Sequence, residues 1–169
     1  MTKREKPKRK QPPVPVRRDA SWVMIRRHLR VGWWSLLLFL SLGIILEAMH
    51  GFKVQWYVGD QNSTRRLMWT LAHAHGTLLA LVHLAYASAI HLLGTSFERF
   101  QPLRSWSLSF ATLLMPAGFF AGGFVIYDGD PGLGILLVPV GAGLLFVAVI
   151  LTAISVESSS QTEEARGVD

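Results

Sequence analysis

The chain has 169 residues, of which 50% are hydrophobic and 17% charged, and it contains no cysteine. Disulfides, thiolate metal sites and cysteine nucleophiles are therefore excluded. The net charge of +6 comes from one end, because eleven of the 17 Lys and Arg residues lie in the first 30 positions. A basic tail ahead of an apolar segment is the pattern of a cytoplasmic membrane flank, and it argues against a nucleic-acid partner. From Val31 to Val156 the apolar runs are too long for an amphipathic soluble fold. Exposing them to water costs roughly 25 cal/mol per Å² of apolar surface; a lipid bilayer removes that cost.

In chain order, residues 1–30 read as a basic tail. Lys3, Arg4, Lys6, Lys8, Arg9 and Lys10 repel one another, and Pro12, Pro13 and Pro15 oppose helix. The run 21–30 has the composition of an interfacial helix, with Trp22, Val23, Met24 and Ile25 for lipid and Arg26, Arg27 and Arg30 for phosphates. The first span is expected over Val31–Met49, with Trp33 and Trp34 at its inner interface. It is long enough to remain as an anchor, and no small-residue cleavage site follows it. Further spans are expected over Leu67–Leu93, Ser105–Tyr127 and Gly132–Val156. Each crosses ~30 Å of hydrocarbon at about 1.5 Å per residue. Backbone groups in lipid must pair within the segment, so the spans are helices. Residues 157–169 form a polar C-terminal tail, expected to be disordered.

The loops set the orientation. With the N-terminal tail inside, the inner segments hold 14 basic residues and the outer loops only Lys53, Arg65 and Arg66. The expected fold is thus all-α, an integral membrane four-helix bundle over residues 31–156. It runs up-down-up-down, with both termini cytoplasmic. The short Asp128–Pro131 loop makes the last two spans neighbours. Gly118 and Gly122, a small-xxx-small pair, favour close helix packing there, and Pro116 and Pro139 are expected to kink these spans.

Ionisable groups inside spans face the protein interior rather than lipid. Glu47 and His50 end the first span on the outer side, His73 and His75 lie near the outer end of the second, and Tyr127 closes the third. All five fall at similar depth and are candidates for one outer pocket. On a regular helix His73 and His75 point about 160° apart, so they cannot easily share one metal. One correctly aimed imidazole is nevertheless enough for an axial bond to haem iron. Three readings of the His-Ala-His pair stay open: a metal or haem ligand, a proton-handling or quinone-contacting group, or a polar bridge between helices. His83 lies deeper and strengthens the first of these. His28 and His91 read as interfacial or structural, and Arg65 and Arg66 as solvated loop charges or as a clamp for an anionic group.

Met49-His50-Gly51-Phe52 at the end of the first span, followed by Ala72-His73-Ala74-His75-Gly76 in the second, resembles the styrene oxide isomerase family, as do the length and the four spans. The same His-x-His start also looks like small bacterial membrane families of unknown role. The resemblance implies a trimeric four-helix membrane protein that binds haem b and isomerises an aryl epoxide. It places the axial, metal-ligating histidine at His75, with His73 or His50 as supporting or alternative ligands. Leu81 stands where that family has an asparagine, and Phe120 where it has a tyrosine. Haem binding therefore carries over better than isomerisation. The leading expectation is a homo-oligomeric haem b protein of the bacterial inner membrane acting on a small apolar ligand. The alternative is a non-enzymatic membrane subunit or scaffold whose histidines are structural or contact quinone.

Overall fold

A computed structural model describes residues 18–59, 62–93 and 100–166. Expectations for residues 1–17 lie outside the described residues. The elements are helix α1 (Arg18–Gly51), the single turn α2 (Gln55–Val58), helices α3 (Ser63–Leu93) and α4 (Gln101–Gly122), strands β1 (Ile126–Tyr127) and β2 (Asp130–Pro131), a 3-10 turn (Leu133–Leu136) and helix α5 (Leu137–Arg166). The protein is all-α apart from the two-residue ladder. By length and composition three segments can cross a membrane: Ser21–Gly51, Ser63–Leu93 and Leu133–Glu157. The expected third span, α4, is not among them. It has 22 residues, but it carries Arg104, Ser105, Ser107 and Thr112, all buried.

The packing follows from stripe spacing. On α3 the buried residues include Trp69, Ala72, Gly76, Leu79, His83, Tyr86 and Ile90. Their separations alternate between three and four, the period of coiled-coil-like packing. The facing stripe of α1 includes Ile25, His28, Gly32, Gly43 and Leu46, all buried. Small residues bring the two helices close. A Cβ on Gly32 would lie 2.6 Å from Leu84, and one on Gly43 would lie 2.4 Å from the His73 ring. One on Gly76 would lie 2.3 Å from the Phe39 ring. Helix α3 packs in turn on α4, and α4 on α5. Gly118 and Gly141 sit at the last of these junctions, where added methyls would meet Val138 at 2.9 Å and Met115 at 2.6 Å. The expected role of Gly118 in helix packing is thus observed. Outward faces stay apolar: Trp33, Trp34, Leu38, Ile44 and Phe146 are each more than 60% exposed. A surface of this kind suits lipid rather than water.

Several boundaries differ from the sequence expectation. The 21–30 segment is no separate interfacial helix but the start of α1. Helix α4 stops at Gly122, five residues before Tyr127; the Trp69 ring packs beside Gly123, where a Cβ would lie 2.7 Å from it. Asp128 and Gly129 then turn the chain with φ of 48° and 93°, the positive pair of a two-residue hairpin. Thr64 donates to the Gly129 carbonyl and ties this hairpin to the start of α3. Pro139 falls in the first turn of α5, where its missing N–H breaks no helical bond. Residues 157–166, expected as a disordered tail, continue α5.

Candidate functional site: two groups of histidines

His73 and His75 separate as helix geometry requires. His73 points to α1, where its Nδ1 donates to the Phe39 carbonyl at 2.7 Å. His75 points to α4, where its ring lies 4.8 Å from that of Phe119. Its Nδ1 donates to the Leu71 carbonyl of its own helix at 2.9 Å. The other ring nitrogen, Nε2, has no hydrogen-bond partner among the described residues, and it is not sealed from the surface.

Of the five expected pocket residues, three do meet. Glu47, His50 and His73 line a cavity of about 260 Å³ together with Gly43, Leu46, Tyr57 and Thr70. His75 does not line it, because it lies on the other side of α3. Tyr127 is 60% exposed in the β1–β2 ladder and does not join it either. Among the described residues no three His, Asp or Glu side chains form a metal-binding set. This leaves a single-histidine axial bond untouched, since such a bond needs no cluster.

Arg65 and Arg66 are partly exposed and spend several of their donors on the chain itself. Arg66 Nη1 donates to the carbonyls of Val58 at 2.8 Å, Gly59 at 3.3 Å and Tyr57 at 3.4 Å. Arg65 donates to the carbonyls of Trp56 at 3.0 Å and Gly123 at 3.2 Å, and to Asn62 Oδ1 at 2.6 Å. Those of Trp56, Tyr57 and Val58 are end carbonyls of the one-turn helix, which need donors. The pair acts as a clamp on the connection between α1 and α3.

The second group lies nearer the start of α1 and was missed by reading residues singly. His28 and His83 are fully buried, and their Nδ1 atoms are 2.7 Å apart. His28 Nε2 is 2.8 Å from Ser105 Oγ, and His83 Nε2 is 3.1 Å from Thr112 Oγ1. The Tyr86 ring meets His28 edge-on at 4.6 Å. Three helices thus share one polar chain, and one set of tautomers satisfies all of it. Thr112 Oγ1 lies 2.9 Å from the Leu108 carbonyl, to which its hydroxyl donates. In that arrangement His83 Nε2 donates to Thr112. With both rings neutral, His83 Nδ1 accepts from His28 Nδ1–H, and His28 Nε2 accepts from Ser105. Every proton points from Ser105 toward Thr112. The signal available in the sequence was the α1 stripe itself: His28 falls in step with Ile25 and Gly32, not on the lipid-facing side.

Thr112 also lines an apolar groove of about 560 Å³ between α1 and α4, floored by Ala72 of α3. A cavity of about 340 Å³ between α3, α4 and α5 holds Tyr86, Arg104 and Thr152 on its walls.

Fold and site together define a helical protein with apolar helices suited to a membrane and with buried, hydrogen-bonded imidazoles. No family model, curated protein or solved structure matches the chain.

Proposed function

We propose that the chain is a four-pass membrane protein, up-down-up-down with both termini cytoplasmic, that binds haem b through His75. The apolar faces, the three long apolar helices and the basic N-terminal flank support the membrane placement. A bacterial inner membrane suits its charge bias.

The observation that carries the haem reading is the state of His75. Its Nδ1–H is anchored on the Leu71 carbonyl. This orients the ring and leaves Nε2 as the coordinating nitrogen, the usual arrangement of a ligating histidine. The half-buried ring sits at the protein surface beside Phe119. That position suits a flat group shared with a neighbouring copy, in keeping with the homo-oligomer, a trimer, implied by the resemblance to styrene oxide isomerases. His73, held by Phe39, positions α3 rather than ligating. Glu47 and His50 line the cavity on the opposite side of α3 and take no part in this site. Bound haem supplies an iron able to act as a Lewis acid or an electron carrier. Isomerase or redox chemistry on a small apolar ligand remains the corresponding activity. Leu81 and Phe120 weaken the isomerase case, because neither offers a hydrogen bond.

An absorption spectrum of the detergent-purified protein tests this. A Soret band is expected, retained in His73→Ala and abolished in His75→Ala. Its absence even after haem reconstitution would overturn the reading.

A second reading is favoured by the His73–Phe39 bond and by the His28–His83 chain. Both are cross-helix bridges of the kind a non-enzymatic membrane subunit uses. A His73→Ala, His75→Ala double variant that keeps pigment and activity unchanged would support it.

A further inference from the structure

We propose that the groove between α1 and α4 binds the ring of a lipid-soluble quinone, with Thr112 as its polar contact. The groove does not include His75, so this inference stands apart from the haem reading.

Size and lining come first. At about 560 Å³ the groove lies within the range of small-molecule sites, which are mostly apolar with a few placed polar groups. Leu38, Leu42 and Leu113 line it, and Phe39 of α1 and Phe120 of α4 add phenyl rings. A flat apolar ring fits such walls.

The polar groups decide the ligand class. Thr112 presents two groups of opposite sense. Its hydroxyl sits at the end of the Ser105–His28–His83 chain, with its oxygen held by His83 and its proton on Leu108. The Leu108 carbonyl still has its helical amide donor, so the proton can turn to a ligand oxygen at little cost. The Thr112 main-chain carbonyl is the other group. Pro116, four residues on and inside α4, has no N–H to give it. One residue can thus donate to a carbonyl oxygen and accept from a hydroxyl. A quinone has the first form and its quinol the second, so both redox states find a partner at one position. Ser35, also lining the groove, has no hydrogen-bond partner among the described residues and offers a further hydroxyl. An acyl chain would use none of these groups.

The test uses full-length protein in nanodiscs and a photoreactive azido-naphthoquinone. Labelled peptides are mapped by mass spectrometry, with unlabelled 2-methyl-1,4-naphthoquinone as competitor. Saturable labelling is expected in residues 31–45 and 109–120. Thr112→Val is expected to weaken competition about 2- to 10-fold, the value of one hydrogen bond. Thr112→Val also leaves His83 Nε2 without its acceptor, so Leu113→Trp provides a second arm. It fills the groove without touching the chain and should abolish saturable labelling while the melting temperature holds. Labelling that does not saturate, or that spreads over the outward face of α5, marks lipid as the occupant and overturns the proposal. So does unchanged competition in both variants.

Discussion

The Nδ1 atoms of His28 and His83, 55 residues apart in sequence, face each other at 2.7 Å inside the helical core. Only one proton fits between them. Two neutral rings must therefore hold opposite tautomers, and a Thr112 proton engaged on Leu108 sets which is which. His28 is expected to carry its proton on Nδ1 and His83 on Nε2. Nitrogen-15 spectra of histidine-labelled protein check this directly. Two histidines with the same tautomer would refute the directed chain.

The same pair predicts non-additive energetics. His83→Leu alone strands His28 Nδ1–H in an apolar core, and His28→Leu alone strands the Ser105 hydroxyl. A buried polar group left without its partner costs about 1–3 kcal/mol. Removing both rings takes away the mutual demand, so the double variant should lose about 0.5–1.5 kcal/mol less than the sum of the singles. Reversible unfolding in mixed detergent micelles measures each corner of the cycle. Strict additivity would mean that the two rings do not interact.

Part of this architecture was legible in the chain. The span of α3 was legible from its apolar run, but its buried stripe from Trp69 to Ile90 was not, because Leu78 and Leu81 on its other faces are as apolar. The divergence of His73 and His75 follows from helical pitch alone. Pairing across helices does not: nothing in the sequence tells His28 that its partner is His83, and a histidine near an arginine run reads as interfacial. The end of α4 at Gly122 was hidden for a different reason. Phe124, Val125 and Ile126 are apolar enough to extend the helix, so their composition does not mark its end. Polar residues beyond Val156 read as a tail, yet helix propagation carries α5 to Arg166. The expected pocket was legible in depth but not in direction. Depth groups Glu47, His50 and His73 correctly, while direction removes His75 and Tyr127.

Arg66 predicts a local effect. Its guanidinium is the shared donor for three carbonyls of the 57–59 turn. Arg66→Ala leaves that turn without a clamp, while the long helices keep their own hydrogen bonds. Chymotrypsin should cut near Trp56 and Tyr57 at least several-fold faster, with helical circular dichroism unchanged. Equal cleavage rates in the two proteins would show that Arg66 is not what holds the turn.

Gly76 gives the sharpest packing prediction. In an isolated helix, replacing glycine by alanine is favourable by roughly 1 kcal/mol. Here the added methyl would sit 2.3 Å from the Phe39 ring, far inside van der Waals contact. Phe39 has little room to move, because its own carbonyl accepts from His73 and shifting α1 would disturb that bond. Overpacking of this kind costs about 1–3 kcal/mol, so the steric term wins and Gly76→Ala should destabilise. Phe39→Ala in the same chain removes the clashing ring and should make Gly76→Ala neutral or favourable. Thermal unfolding of the four proteins in detergent reads the reversal of sign. If Gly76→Ala stabilises even with Phe39 present, the α1–α3 contact is looser than this packing requires.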